Sequence, residues 1–490
     1  MLGTLIQKEL KAILLSPKFV ATFATCAVLI LLSVFVGIQE YHAAVKQYDA
    51  AVQLAEQDLR EASSWMAINN KVYRRPDPMQ IFVSGVNNDI GRLSSVSNFD
   101  GIKLRSSIYS TDTIFAVFRY VDFVFIVQVV LSLFAILFTY DAVNGEREAG
   151  TLQLTFSNAL PRAQYILAKF FGSWLGLVVP LLIPIMLGVL LVMLYRVPML
   201  SVHWTKLGTL LGVSILFFTF FMAFGILVST LTRQSAVSFL VSLVAWVAFV
   251  LIVPRAGVMA AGQFVSVPTV AEIEGQQDRF EKDQWEKHRE GIQEKWRQRE
   301  AAMRGSGMNE KEREAYRDDH EWEWLEEDDK DRKQMQKDIN AFSRQLNEEA
   351  RNRKAEQQRL AFSLSRFSPA SAYQLAALNL AGTDAALKTR YEDAMQNYRT
   401  AFTEYADKKQ KESGGMGGFR IEINSNTGIK IGGDRDKGTL DLSDMPKFTP
   451  PDHTYAAAIA PTLIDFGLLG LYTLAAFVGA FVRFLQYDVR

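Results

Sequence analysis

Residues 19–38 read FVATFATCAVLILLSVFVGI, a run without one charged side chain. At 1.5 Å per residue, about 20 helical residues cross a hydrocarbon core roughly 30 Å thick. Each apolar residue near mid-membrane contributes about −0.3 to −0.6 kcal/mol to insertion, and a charge there costs about 2.5 to 3.5 kcal/mol. The run is too long for a signal-peptide core, and no small-x-small cleavage site follows it, so a retained span is expected. Five more runs meet the same test: 121–140, 171–195, 207–230, 236–253 and 456–484. The fold class that follows is an all-α integral membrane protein with six transmembrane helices. A mainly helical extracytoplasmic domain with a small β-hairpin completes it.

Working outward, the basic residues orient the spans. Lys8, Lys11 and Lys18 precede the first span, Arg147, Arg162 and Lys169 follow the second, Arg233 lies between the fourth and fifth, and Arg483 and Arg490 end the chain. All fall on one side by parity, which the positive-inside rule makes the cytoplasm. Arg196 and Lys206 on a short outer loop weaken the bias. This orientation makes 1–18 a cytoplasmic amphipathic interfacial helix, with Leu5, Ile6, Leu10, Ile13 and Leu14 toward lipid beside Lys8 and Lys11. It makes 141–170 a cytoplasmic loop, 171–254 three spans, and 456–490 a final span with a short cytoplasmic tail. Segments 39–120 and 255–455 fall outside. Asp465, about a turn and a half into the last run, is expected at the interface. Pro180 and Pro184 predict a kink in the third span.

The outer segments are charged and patterned. Val45, Tyr48, Val52, Ala55, Leu59 and Ala62 recur in steps of three and four, a stripe that predicts a helix continuing the first span and ending before Arg74, Arg75 and Pro76. Residues 84–107 read as loop. Segment 272–366 is dense in Glu, Lys, Arg, Gln and Asp, and Gly305–Ser306–Gly307 splits it into a helical hairpin. Aromatics near helical spacing favour order over a disordered polyampholyte. Residues 370–380 predict a short apolar helix, and 383–410 another with polar faces. After the break Gly414–Gly415–Met416–Gly417–Gly418, residues 419–423 and 429–431 alternate strictly about a turn at 425–428, predicting a β-hairpin over 419–431.

The chain has 53 basic and 53 acidic residues among 490, so its charge gives no reason to expect nucleic acid as a partner. Its single cysteine, Cys26, permits no disulfide within the chain and reads as a small buried apolar residue. No phosphate loop, H-E-x-x-H, paired-cysteine spacing or G-x-S-x-G is present. The five histidines are scattered, and acidic neighbours such as Glu326–Glu327–Asp328–Asp329 read as a solvated helix face. The expectation is no catalytic residue, no metal ligand and no cofactor bound directly.

The most informative loop reads GEREAGTLQL at 145–154 and ALPRAQYILAKF at 159–170. It predicts a short charged helix, a turn, and a helix restarted by Pro161. Gly150 suits a close backbone approach or a non-helical angle. Taken alone, the loop is either a plain solvated connection or a knob that docks in a partner's groove.

This loop resembles the coupling-helix region of ABC transporter permeases of the ABC-2 type. QKELKAILLSPKF at 7–19 resembles that family's leading interfacial helix. SRFSPASAYQLAALNLAGTD at 365–384 is similar to a branch with a large extracytoplasmic insertion before the last span, described with multicopper-enzyme maturation and gliding-type permeases. The resemblance implies the permease subunit of an ABC transporter in a bacterial inner membrane, multi-pass, with both termini cytoplasmic. It implies a second permease chain in a homodimer, two copies of an ATPase subunit, and ATP and Mg on that partner rather than on this chain. By match, Glu146, Glu148, Gly150 and Thr151, with the adjacent Arg147 and Leu152, form the ATPase-coupling set, and Arg162 anchors the restarted helix. Two modes stay open: export between paired spans, or mechanical work through the outer hairpin on a periplasmic partner. The alternative from another class is a membrane-anchored scaffold or receptor that docks through the hairpin without an ATPase.

Overall fold

The computed structural model describes residues 2–61, 70–96, 104–106, 121–157, 160–412, 419–424, 428–433 and 442–487. The chain divides into two compact units, one of Met1–Val253 with Arg366–Arg490, the other Pro254–Ser365.

In the first unit the sequence places its own punctuation. Helix α1 (Leu2–Leu14) ends at Ser16, whose hydroxyl accepts from the Phe19 amide at 3.1 Å, and Pro17 opens α2 (Pro17–Arg60). Of the expected α2 stripe, Ala55 and Leu59 are buried and Val45, Tyr48 and Val52 half-buried, with Tyr41 and Ala44 buried ahead of it; Ala62 lies outside the described residues. The helix stops at Arg60. Two strands not anticipated by the pattern follow: β1 (Asn70–Tyr73), where helix was expected to run up to Arg74, pairs antiparallel with β2 (Leu93–Val96), in the stretch read as loop. Each has four residues, too short for alternation to register.

The remaining spans are α3 (123–139, with a π-helical turn at Ile126–Leu131), α6 (Arg162–Leu194), α7 (Ser201–Leu231), α8 (Ser235–Phe264, π-helical at Ala248–Ile252) and α13 (Tyr455–Leu485). Two short helices, α4 (Asn144–Glu148) and α5 (Thr151–Ser157), lie between α3 and α6. Counting α2, six helices among the described residues are long and apolar enough to cross a membrane. Helix α6 continues through both Pro180 and Pro184.

A short helix, α11 (Pro369–Ala381), packs against α7, α13 and the π-helical turns of α3 and α8. Ser368 caps it, accepting from the Ala370 and Ser371 amides at 3.1 and 3.4 Å. Ala370, Ala372, Tyr373, Ala376, Ala377 and Leu380 are wholly buried. The Tyr373 ring stacks on Phe217 at 4.6 Å and its hydroxyl lies 3.1 Å from that of Ser214. The Asp465 side chain is fully buried among the protein's own helices, and Arg366 donates to both carboxylate oxygens at 2.6 and 3.2 Å. A carboxylate can leave water at that depth because a guanidinium leaves with it.

A second core joins α2, β1 and α12 (Leu387–Glu412) through Leu59, Val72, Leu387, Tyr391, Met395 and Phe402. Asn70 donates to the Tyr398 hydroxyl at 2.5 Å. Arg74 is buried beside it, bonded to the Asn87 side chain and carbonyl at 2.5 and 2.6 Å, and burial pushes its guanidinium down to about 10. Strands β3 (Phe419–Asn424) and β4 (Gly428–Gly433) form the expected antiparallel hairpin. The glycine break at 414–418 and the turn residues 425–427 lie outside the described residues.

The second unit is an antiparallel pair of helices, α9 (Val270–Gly305) and α10 (Glu310–Ser365). Each opens on a reciprocal cap: Thr269 with Glu272, and Asn309 with Glu312. Phe280 stacks on Phe342 at 4.1 Å, Trp296 meets Trp324 at 5.6 Å, and Lys295 bridges Glu327 and Asp331 at 2.8 and 2.5 Å. Those hydrogen bonds raise the Lys295 ammonium and lower the Glu327 carboxyl relative to their ordinary values. Less exposed residues recurring every three or four positions supply the seam, and ion pairs lie beside it.

Candidate functional site

The loop formed by α4 and α5 is held by side chains from several spans, and its residues divide by what they face. Glu146 turns inward. It accepts from Lys169 at 2.9 Å, from Lys8 at 3.1 Å, and from the Tyr165 hydroxyl at 2.6 Å. Lys169 also donates to Glu9 of α1 at 2.9 Å. The Lys169 side chain is 7% exposed and lies with both carboxylates in a largely dry pocket, and the exposed Lys8 completes the charge balance from its rim. This network ties α1, α4 and α6 into one body.

Asn144 and Glu148 do the same toward α7 and α8. Ser229 accepts from the Val143 and Asn144 amides at 3.0 and 3.3 Å and donates to Asn144 Oδ1 at 3.0 Å. Asn144 donates on to Thr232 at 3.0 Å. Glu148 receives the Ser235 amide at 2.8 Å and the Ser235 hydroxyl at 2.7 Å, capping the start of α8. Arg147 and Arg162 reach the far end of α13. Arg147 donates to the Tyr487 hydroxyl at 3.2 Å, and Arg162 to the Leu485 carbonyl at 2.7 Å.

Gly150 joins α4 to α5 with φ at +70°, in the left-handed region that a side chain makes costly. Nothing lies within 4 Å of where a Cβ would stand, so conformation, not crowding, selects glycine. Thr151 donates to the Glu146 carbonyl at 3.2 Å and starts α5. Leu152 is buried, 1% exposed, and Phe156 packs on Tyr165 and Phe484 at 5.3 and 6.1 Å. The other side is open: Ala149, Gly150, Thr151, Gln153 and Leu154 are exposed, Leu154 by 70%.

The structure therefore brings the expected residues together in two roles. Glu146, Arg147, Leu152 and Arg162 face the protein's own helices. Glu148 caps α8 while still exposed, and Gly150 and Thr151 lie on the outer surface with Leu154. Sequence reading missed Lys169, Tyr165, Glu9, Ser229, Ser235 and Tyr487 as partners of this loop. Only the crowding of Lys8 and Glu9 on one amphipathic helix offered a signal. Among the described residues, no group of three or more His, Cys, Asp or Glu side chains is placed to hold a metal. The arrangement fastens one face of the loop to the surrounding helices and leaves its turn open.

The family model for ABC-2 family transporter proteins matches residues 4–489. No curated protein matches the chain.

Proposed function

Because this chain belongs to the ABC-2 family of transporter proteins, we propose that it draws its energy from a separate ATPase that docks on the α4–α5 loop. Two copies of that ATPase, each carrying its own ATP and Mg, would act beneath a homodimer of this chain in a bacterial inner membrane, with α1 and the α4–α5 loop on the cytoplasmic side. The observation that carries the reading is the division of the loop. One face is fastened to α1, α6, α7, α8 and α13, and the other presents Gly150, Thr151, Gln153 and Leu154 to solvent. An exposed leucine on a short helix, rimmed by polar residues, suits a groove of a soluble partner.

The test is capture of the intact chain from its native membrane, with hydrolysis of ATP measured in the captured material. Leu154→Arg and Gln153→Trp, both on the exposed face of α5, should remove the stimulated hydrolysis while insertion and melting stay near those of the parent chain. Stimulated hydrolysis that persists in both would overturn docking on this loop, and captured material with no ATPase activity at all would favour the docking scaffold. Export between paired spans and mechanical work through the α9–α10 hairpin both fit this energy source. The length and charge of α9 and α10 favour mechanical work on a partner outside the membrane.

A further inference from the structure

Helix α13 is gripped at two places. At its C-terminal end Arg162 holds the Leu485 carbonyl, Arg147 holds Tyr487, and Phe484 lies fully buried, stacked on Tyr165 at 5.0 Å with Phe156 of α5 beside it. Every one of these contacts comes from the α4–α5 loop or the start of α6. The second grip is Asp465, bonded through both oxygens to Arg366, together with Tyr472, whose hydroxyl donates to the Arg366 carbonyl at 2.8 Å. Between Asp465 and Leu485 lie 20 helical steps, about 30 Å. The one proline of α13, Pro461, falls outside that stretch.

Arg366 is the residue that follows α10 in the chain, the point where the long hairpin rejoins the bundle. Two residues on, the Ser368 hydroxyl donates to the Phe249 carbonyl in the π-helical turn of α8. That turn comes just before the chain leaves for the hairpin at Pro254. A π-helical turn displaces carbonyls from the regular ladder, which leaves one free for such a bond. The outgoing and returning strands of chain are thus pinned together beside Asp465.

A buried ion pair is a poor way to gain stability, since an apolar pair of similar size does as well or better. It is a good way to fix one geometry. We propose that Arg366 and Asp465 are positioning residues for energy coupling: they clamp the root of the hairpin to α13, so that displacement of the α4–α5 loop is passed along α13 to the hairpin. This rests on the energy-coupling reading above.

The experiment uses the full chain with its ATPase in lipid vesicles, native Cys26 replaced by alanine. Spin labels are placed at two exposed sites, Arg317→Cys in α10 and Thr389→Cys in α12, and their separation is measured with ADP and with ATP trapped by vanadate. In the parent chain the distance distribution shifts between the two states. In the apolar double variant Arg366→Leu with Asp465→Leu, which leaves no unpaired charge, ATP hydrolysis remains and the shift is lost. Asp465→Glu, which keeps the pair, retains the shift. A shift of parental size in the double variant overturns the clamp, as does its absence in the parent chain while the ATPase is bound and active. A chain that binds no ATPase overturns the energy-coupling reading first, and this inference with it.

Discussion

Lys169 shows how one side chain can decide whether a loop is a connection or a component. It is the cation between Glu9 and Glu146, two acids from elements far apart in sequence. Lys169→Met would remove the buried cation Glu9 shares and leave Glu146 with only Lys8 and the Tyr165 hydroxyl, at a cost of about 3–5 kcal/mol, the usual penalty for breaking a buried pair from one side. Adding Glu9→Gln and Glu146→Gln should restore most of the lost melting temperature in detergent. His453 makes a second prediction at this scale. Burial and the nearby Lys206 and Arg390 cations, against Asp384 and Asp77, push its imidazole down to about 4. Lys206 donates to its Nδ1 at 3.1 Å and to its carbonyl at 2.7 Å. The unfolded chain, with an ordinary histidine near 6.5, takes up a proton that the folded chain refuses. This contribution to stability is whole above that pH and is lost as the pH falls from about 6.5 toward 4. Thermal unfolding of His453→Gln, which keeps an acceptor for Lys206, should show a shallower loss over that window than the parent chain. The loop's own residues were legible in the sequence, because GEREAGTLQL is a compact motif. Their partners were not, since Lys169, Ser229 and Tyr487 are joined to it only by tertiary packing, which no local period records.

Elements were legible in proportion to their length. Six long apolar helices and the two charged helices of the hairpin announce themselves by composition and by their capping residues. Strands β1 and β2 do not, because NKVY and LSSV alternate too briefly and lie 19 residues apart. The placement of α11 among the spans was equally silent: an apolar helix of 13 residues is too short to cross a membrane, and nothing in it says what covers it. Packing between α3 and α7 is close at Gly225, where a Cβ would collide with the Thr139 hydroxyl. Gly225→Val should cost about 1–3 kcal/mol by overpacking and lower the melting temperature. Gly212→Ala on the same helix, where the added methyl meets nothing, should leave it unchanged. In the hairpin, the stacked Phe280 and Phe342 should show a coupling of about 0.5–1.5 kcal/mol in a double-alanine cycle, read by limited proteolysis of the intact chain.

For the whole molecule, an even number of spans returns the chain to the side on which it began. A cysteine placed at Gln153, in α5, should react with an impermeant maleimide from the same face as one placed near the start of α1. A cysteine at Arg317 should react only from the other face. Labelling of Gln153 and Arg317 from one face would discard the six-span topology. The order of the elements carries a further consequence for how such a protein is made. Helix α13 leaves the ribosome after the other five spans described, yet α7 and α11 pack against it, and Asp465 on it neutralises Arg366. Until it inserts, a nascent chain holds an orphan guanidinium and an uncovered alanine-rich helix at the heart of an unfinished bundle. A chain cut short before residue 455 should therefore be cleared by membrane proteases rather than accumulate, so only completed copies would reach the point of assembly.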